Sequence, residues 1–288
     1  MSEIKTYNDL YLEMRKKLKS AGIEDFNLEA RLILAEAAGK SKEELIRDLK
    51  LYALGDVEAK ADSMMERRIS GEPMAYVLGE WEFLGRPMKV EPGVLVPRPD
   101  TEVLAELAIK LLRSRDTEGA RVLDLCCGTG CIGISVAAAV ADTRVVLVDN
   151  SMKALRLARE NVRRNNVSRN ATVIEADAMG QPPMLLGRFD IIVSNPPYIP
   201  TAEIDTLDST VKDFEPREAL DGGKDGLSFY RAIIPAWSQI LRDHGCLLFE
   251  CGEGQAQTIG KMMREHGFKS VAYYKDAAGT DRVVAGAI

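Results

Sequence analysis

The chemistry of this chain gathers at Asn195-Pro196-Pro197-Tyr198, directly after the β-branched run Ile191-Ile192-Val193. That run reads as the end of a buried strand. Two successive prolines cannot continue a ladder, so the strand must stop and the backbone stiffens. Pro196 offers a carbonyl without an N–H of its own, and Asn195 sets a side-chain carbonyl beside it. Together they can accept both hydrogens of an NH2 group, with Pro197 holding the bend and Tyr198 laying a flat face over a planar substrate. Such a site holds an amide or an exocyclic amine with its nitrogen aimed at an electrophile. A plain Pro-rich turn with Tyr198 as a packing residue would use the same four residues; a second motif upstream argues against it.

That motif is Arg121-Val122-Leu123-Asp124-Leu125-Cys126-Cys127-Gly128-Thr129-Gly130, a strand and a tight turn, followed by a helix start at Cys131. Gly128 and Gly130 permit positive φ and a close approach of backbone to ligand. Asp149 follows about twenty residues on, at the end of the next strand, where a carboxylate binds ribose hydroxyls. So far NAD is one candidate. Asp124, however, sits at the end of the first strand facing the turn, where it would repel a pyrophosphate. A sulfonium carrying an amino-acid ammonium would be welcome there, so S-adenosylmethionine is preferred. Asp149, Asn150 and Ser151 then take the ribose, Asp149 as the main acceptor, and Asp177, beside Ala178 after the third strand, can accept from an adenine amine. Cys126, Cys127 and Thr129 complete the turn against the cofactor, and Asn195 closes the far side.

Cys126, Cys127 and Cys131 invite a metal reading, but structural zinc wants four ligands in spaced pairs. Two of these are adjacent, with no histidine nearby in sequence, so they are expected to fill the turn and no metal is expected. The five cysteines form no disulfide-like pattern, which suits a reducing cytosol. Neither of the two histidines, His244 and His266, lies in a motif.

The bulk numbers bound the partners. Across 288 residues the chain is 46% hydrophobic and 28% charged, ordinary for a globular protein. A net charge of −6 argues against a general nucleic-acid coat. Met1-Ser2-Glu3-Ile4-Lys5 lacks an apolar signal core, and no run approaches the ~20 apolar residues of a membrane span. The expectation is a cytoplasmic protein, monomeric, with no membrane and no direct nucleic-acid partner.

The elements that position these residues fall into three stretches. Residues 1–72 read as a helical bundle: Tyr7, Leu10, Tyr11, Met14 and Leu18 share one face, Gly22 and Gly39 mark stops, and Ser41 with Glu44 has capping-box spacing. Asp56 is a candidate cap for a fourth helix with Val57, Met64 and Ile69 as core. Residues 73–95 carry dense turn signals around Ala75-Tyr76-Val77-Leu78 and Trp81-Glu82-Phe83-Leu84, read as a β-hairpin connector. Then Val96-Pro97-Arg98-Pro99-Asp100-Thr101-Glu102 opens a helix, with Asp100 as its cap and Arg98 held stiffly between prolines toward the cleft. Residues 96–288 alternate strand and helix, implying an α/β fold with a mostly parallel sheet. Strands are predicted at 121–125, 144–149, 172–175, 189–194, 245–250, 270–275 and 281–285. Helices are predicted at 101–114, 131–140, 151–165, 226–242 and 254–266.

With these residues in hand, the chain resembles the protein-(glutamine-N5) methyltransferases that act on peptide chain release factors, the HemK-like family. The likeness spans nearly the whole chain. It runs through Gly71-Glu72-Pro73-Met74-Ala75-Tyr76, Pro97-Arg98-Pro99-Asp100-Thr101-Glu102, the glycine turn, Asn195-Pro196-Pro197-Tyr198 and Glu215-Pro216. It continues through Gly223, Asp225-Gly226-Leu227, Tyr230-Arg231, Glu250, Gly252, Gln255 and Gly279-Thr280-Asp281-Arg282-Val283. The resemblance implies a class I seven-stranded Rossmann-like methyltransferase domain, preceded by a small helical bundle that helps to dock the substrate. It also implies methyl transfer from S-adenosyl-L-methionine, leaving S-adenosyl-L-homocysteine, to the glutamine of the Gly-Gly-Gln motif in class I release factors. Asn195, Pro196, Pro197, Tyr198 and Arg98 would meet the substrate. Three departures from the family pattern stand out: Cys126 and Cys127 replace the start of a Gly-x-Gly-x-Gly run, Asp100 replaces a usual Glu, and Ala178 stands where some relatives carry an aromatic.

Two rivals remain open from the residues alone. The same four-residue motif can clamp a flipped adenine amine, as in an N6-adenine nucleic-acid methyltransferase; the acidic balance speaks against it. A binding module with lapsed catalysis is the other, disfavoured by the complete Asn-Pro-Pro-Tyr.

Overall fold

A computed structural model describes residues 4–114 and 119–288. The chain divides into two compact units, residues 1–80 with 209–214, and residues 81–208 with 215–288.

The first unit is helical: α1 (Tyr7–Ser20), α2 (Phe26–Ala38), α3 (Lys42–Asp48), α4 (Val57–Ile69) and α5 (Met74–Leu78). Both polar caps follow sequence chemistry, with Thr6 and Asp9 reciprocally capping α1 and Ser41 and Glu44 doing so for α3. Tyr7, Leu10, Met14 and Leu18 are buried along one stripe of α1. In α4 the buried side chains are Val57, Ala61 and Met65, while Ile69 is exposed. Of the expected core of Val57, Met64 and Ile69, Val57 is buried, Met65 takes the place of Met64, and Ile69 faces outward. Asp56 occupies the N-cap but makes no cap bond; its carboxylate pairs with Lys60 instead.

Ala75–Leu78, expected as an extended run, is helical. Pro73 precedes the first turn and Gly79 ends it at φ 73°. Four consecutive side chains, Met74 to Val77, are buried, which an alternating strand could not achieve. Arg67 donates to the carbonyls of Tyr76 and Val77, supplying partners that so short a helix lacks. The strands β1 (Glu80–Phe83) and β2 (Arg86–Lys89) follow. Leu84 and Gly85 between them both have positive φ, as a tight primed hairpin turn demands.

The second unit continues with α6 (Pro99–Arg113), β3 (Arg121–Leu125), α7 (Cys131–Ala139), β4 (Arg144–Asp149), α8 (Met152–Arg164), β5 (Ala171–Glu175) and β6 (Phe189–Ser194). After β6, the short α9 (Ser209–Lys212) belongs to the first unit. Then come α10 (Ser228–Trp237), β7 (Leu241–Glu250), α11 (Ala256–Glu265), β8 (Ser270–Lys275) and β9 (Asp281–Ala287). The sheet order is β5-β4-β3-β6-β7-β9-β8. β3 to β7 run parallel, and β9 is antiparallel to both its neighbours. One face of the sheet packs Val122, Leu147, Val193 and Leu248 against apolar side chains of α6, α7 and α8. The other packs Leu123, Ile192, Leu247 and Phe249 against α10 and α11. The helix predicted over 226–242 ends at Trp237, because β7 begins at Leu241 and pairs with Phe189.

The strand order reverses at β3, which has β4 on one side and β6 on the other. Ligands of open α/β sheets bind at the carboxyl ends of strands at such a switch point. Cys126, Asp149 and Asn195 stand at those three strand ends.

Candidate active site

A cavity of about 680 Å³ opens at this point. Its wall includes Gly93 to Arg98, Thr101, the turn from Cys126 to Thr129, Asp149 to Ala154, Asn195, Pro197 and Phe229.

The glycine turn is built from the sheet outward. The Cys127 N–H donates to the carbonyl of Val148 at 2.9 Å, and Gly130 N–H closes the turn on Cys127 at 2.7 Å. Cys126, Gly128 and Gly130 have φ of 61°, 54° and 82°. Cys126 thus adopts the left-handed conformation that the replaced glycine would adopt freely. All three cysteines of the turn line the cavity, and burial pushes their thiols up, that of Cys131 to about 12. They are neutral there. Among the described residues no group of His, Cys, Asp or Glu is placed to hold a metal ion.

Asp149 lines the cavity while accepting N–H bonds from Gly128 and Ser151, both at 2.9 Å. Burial raises its pKa and these bonds pull it back. Asp124 lies deeper. It is fully enclosed, accepts from the Gly133 N–H at 2.8 Å, and has a second oxygen, Oδ1, with no hydrogen-bond partner. Desolvation pushes it up to about 7, against the Gly133 bond. Asp177 is exposed and turns back on the Met179 N–H at 2.9 Å, so the cavity wall there is made by Ala176 and Ala178. Ala178 is itself held by Trp237, whose indole N–H donates to its carbonyl at 3.0 Å.

Across the cavity, the buried Ser194 hydroxyl donates to the Leu125 carbonyl at 2.7 Å and locks the ends of β3 and β6 together. Asn195 follows at once. Its Nδ2 donates to Thr101 Oγ1 at 3.2 Å, which leaves the carbonyl oxygen as the group available to a ligand. Pro197 lines the cavity, whereas Tyr198 and the buried Pro196 are not part of the lining. The Tyr198 ring packs on the buried cluster behind the sheet, and its hydroxyl is turned to Glu250 at 3.4 Å. Burial beside the Glu250 carboxyl pushes the phenol pKa up, so it stays protonated.

Arg98 lines the cavity and pairs with the buried Glu215 at 2.6 Å. Asp100, expected as a cap, makes no cap bond for α6; its carboxylate lies 3.4 Å from Arg282. Sequence reasoning missed the Gly93–Val96 wall, Phe229 and the Pro216–Ala219 edge. A backbone wall leaves no residue-type signal, although Glu215-Pro216 stood among the stretches of resemblance.

These residues suit a cofactor of the S-adenosylmethionine type. The volume falls within the ~300–1,000 Å³ of small-molecule sites. Asp149 presents a carboxylate to hydroxyls, while Asp124 lies enclosed beneath the turn, outside the lining.

A parallel five-strand core extended by an antiparallel strand, a glycine turn after β3 and an Asn-Pro-Pro-Tyr after β6 define a Rossmann-like methyltransferase. A methyltransferase from Pyrococcus furiosus shares this fold, with a TM-score of 0.53 over 78% of this chain and 98% of that one at 19% identity. Family models match for the methyltransferase small domain over residues 100–214 and the PrmC N-terminal domain over residues 9–79. Release factor glutamine methyltransferases of Clostridium botulinum and Geobacter sulfurreducens are 34% and 39% identical to it. The alignments cover 96% and 95% of this chain and 97% and 94% of theirs. The chain belongs to the release factor glutamine methyltransferase family, so it is a methyltransferase whose donor is of the S-adenosylmethionine type. The adenine-directed alternative is not favoured by these relatives. Among the described residues no helix is long and apolar enough to cross a membrane.

Proposed function

We propose that this chain methylates the side-chain nitrogen N5 of the glutamine in the Gly-Gly-Gln motif of class I peptide chain release factors. S-adenosyl-L-methionine, when bound, supplies an electrophilic methyl on a sulfonium. Asp149 and Asn150 would hold its ribose, the turn Cys126–Thr129 its cationic end with Asp124 beneath that turn, and Ala178 its base. The N-terminal helices would contribute to docking the release factor.

An amide nitrogen is a poor nucleophile because its lone pair is delocalised. Asn195 Oδ1 and the Pro196 carbonyl accept its two hydrogens, polarise both N–H bonds and fix the nitrogen's direction. Positioning of this kind lowers a barrier by several kcal/mol. Tyr198 stiffens the bend from behind and Arg98 stands at the substrate side. The proton leaves the nitrogen once it is methylated and more acidic. The observation that carries this reading is the Asn195 amide, whose N–H side is committed to Thr101 and whose carbonyl is not.

The test is mass spectrometry of the Gly-Gly-Gln tryptic peptide of a release factor after incubation with the protein and S-adenosylmethionine. One added methyl on glutamine is expected, and Asn195→Ala should lower turnover about 100-fold or more while cofactor binding persists. Equal turnover by that variant would overturn the assignment of Asn195; methylation of DNA but not of the factor would overturn the substrate.

A further inference from the structure

Thr101 stands at the start of α6, remote in sequence from Asn195, and is 2% exposed. Its Oγ1 accepts from Asn195 Nδ2 at 3.2 Å. Burial raises the pKa of Glu250, the last residue of β7, and the nearby Thr101 side chain pulls it back. Glu250 also faces the Tyr198 hydroxyl at 3.4 Å. Its side chain is enclosed, and Oε2 has no hydrogen-bond partner. The Asn195–Tyr198 bend is therefore held by Thr101 at Asn195 and by Glu250 at Tyr198.

The Thr101 contact settles a choice that Asn195 could not make alone. A carboxamide can present either its oxygen or its NH2 to the cavity by a flip about one bond. Thr101 Oγ1 accepts, and Asn195 turns its NH2 to it. Its carbonyl then faces away from Thr101. With the carboxamide flipped, Asn195 would offer N–H groups to a substrate amide that also offers N–H groups, and the two would repel.

We infer that Thr101 is a positioning residue for the methyl transfer, acting through Asn195: its buried hydroxyl oxygen, accepting from Nδ2, sets the Asn195 carboxamide with its oxygen toward the substrate nitrogen. This rests on the assignment of Asn195 as the amide acceptor.

The test compares three single substitutions in the full-length protein. Thr101→Ser keeps the hydroxyl and loses the methyl; Thr101→Val keeps the shape and loses the hydroxyl; Thr101→Cys keeps the size of serine with a weak acceptor. The expected order of kcat is Ser well above Cys and Val, with Val down about tenfold or more and Ser within about threefold of wild type. The dissociation constant for S-adenosylmethionine should move less than about threefold in each, because the loss falls on orientation of the acceptor. A packing role predicts the reverse, Val at or above Ser, and that order would overturn the inference. Should Thr101→Val unfold, the Ser against Cys comparison still decides: Ser above Cys supports the inference, and equal activity overturns it. In single-turnover assays on an Asn195→Ala background, Thr101→Val should cost less than about twofold further; an undiminished loss there would show that Thr101 acts independently. An Asn195→Ala variant as active as wild type would instead remove the underlying assignment, a separate outcome.

Discussion

Gln255 braces Tyr198 from behind. Its Nε2 donates to the Tyr198 carbonyl at 2.8 Å, while its Oε1 accepts from the Gly252 N–H at 2.9 Å. The space is closed further by Gly226, where an added Cβ would lie 2.2 Å from the Tyr198 oxygen and 2.5 Å from Gln255 Nε2. Gly222 has the same constraint, 2.7 Å from Tyr198 Cα. The bend that follows β6 is thus set by parts of the chain that do not line the cavity.

Replacing Gln255 with Leu removes both bonds and leaves the Tyr198 carbonyl without its side-chain donor. The expected cost is ~1–3 kcal/mol of stability and a larger fall in kcat than in cofactor affinity, read by urea unfolding and steady-state kinetics. Unchanged kcat with lowered stability would mean that the bend tolerates a loose Tyr198.

Gly133→Ala should weaken the fold at the turn. The new Cβ would meet Asp124 Oδ2 at 2.9 Å and Val145 Cγ1 at 3.0 Å. Moving α7 away stretches the Gly133–Asp124 bond. Overpacking of this kind costs ~1–3 kcal/mol, more than the ~1 kcal/mol by which alanine favours a helix over glycine. A melting temperature at or above wild type would show that α7 shifts without resistance.

Cys126 allows the opposite experiment. At φ 61° an L-residue is strained by ~1–2 kcal/mol, and glycine would relieve that against ~0.5–1 kcal/mol of added chain entropy. Cys126→Gly should therefore leave stability unchanged or slightly raised, with cofactor affinity intact by calorimetry. Cys126→Val, β-branched in the same conformation, should lose both. If valine is tolerated, the turn has more backbone freedom than its dihedral angles imply.

Much of this site was legible from residue types because strand ends have local signatures. Asp124, Gly128, Gly130, Asp149 and the Asn-Pro-Pro-Tyr each follow a β-branched or apolar run, so the sheet had to bring them to one edge. What escaped was set by distance in sequence or by backbone alone. Nothing in Thr101 or Glu250 announces a partner nearly a hundred residues from the one and some fifty from the other. Gly93 to Val96 form a wall by backbone path. Ala75–Leu78 misled because four apolar residues between turn signals suit a buried strand or a short helix equally, and Arg67 capping the carbonyls tipped the balance. Asp177 was expected to reach into the cavity, but its own turn offers a nearer donor at Met179.

The buried Glu250 should make stability fall as pH rises. Desolvation pushes its carboxyl from 4.5 up to about 7, while Thr101, Arg282 and Tyr198 pull it back and Asp100 adds to the rise. Cys131 of α7, Tyr230 of α10 and the adjoining Cys251 also face its field. The folded protein then holds this proton more tightly than the unfolded chain. Below pH 4.5 both states are protonated and the group has no pH-dependent effect on stability. Between 4.5 and 7 the unfolded chain releases the proton first, so the group destabilises the fold progressively, by up to about 3 kcal/mol. Above 7 the loss is complete and constant. Glu250→Gln keeps the shape and an acceptor oxygen but cannot titrate. Its unfolding free energy minus that of wild type should therefore grow across this window and level off beyond it, measured by urea titrations from pH 4.5 to 8. A difference that stays flat with pH would mean that Glu250 is ionised in the fold, and that Arg282 outweighs its burial.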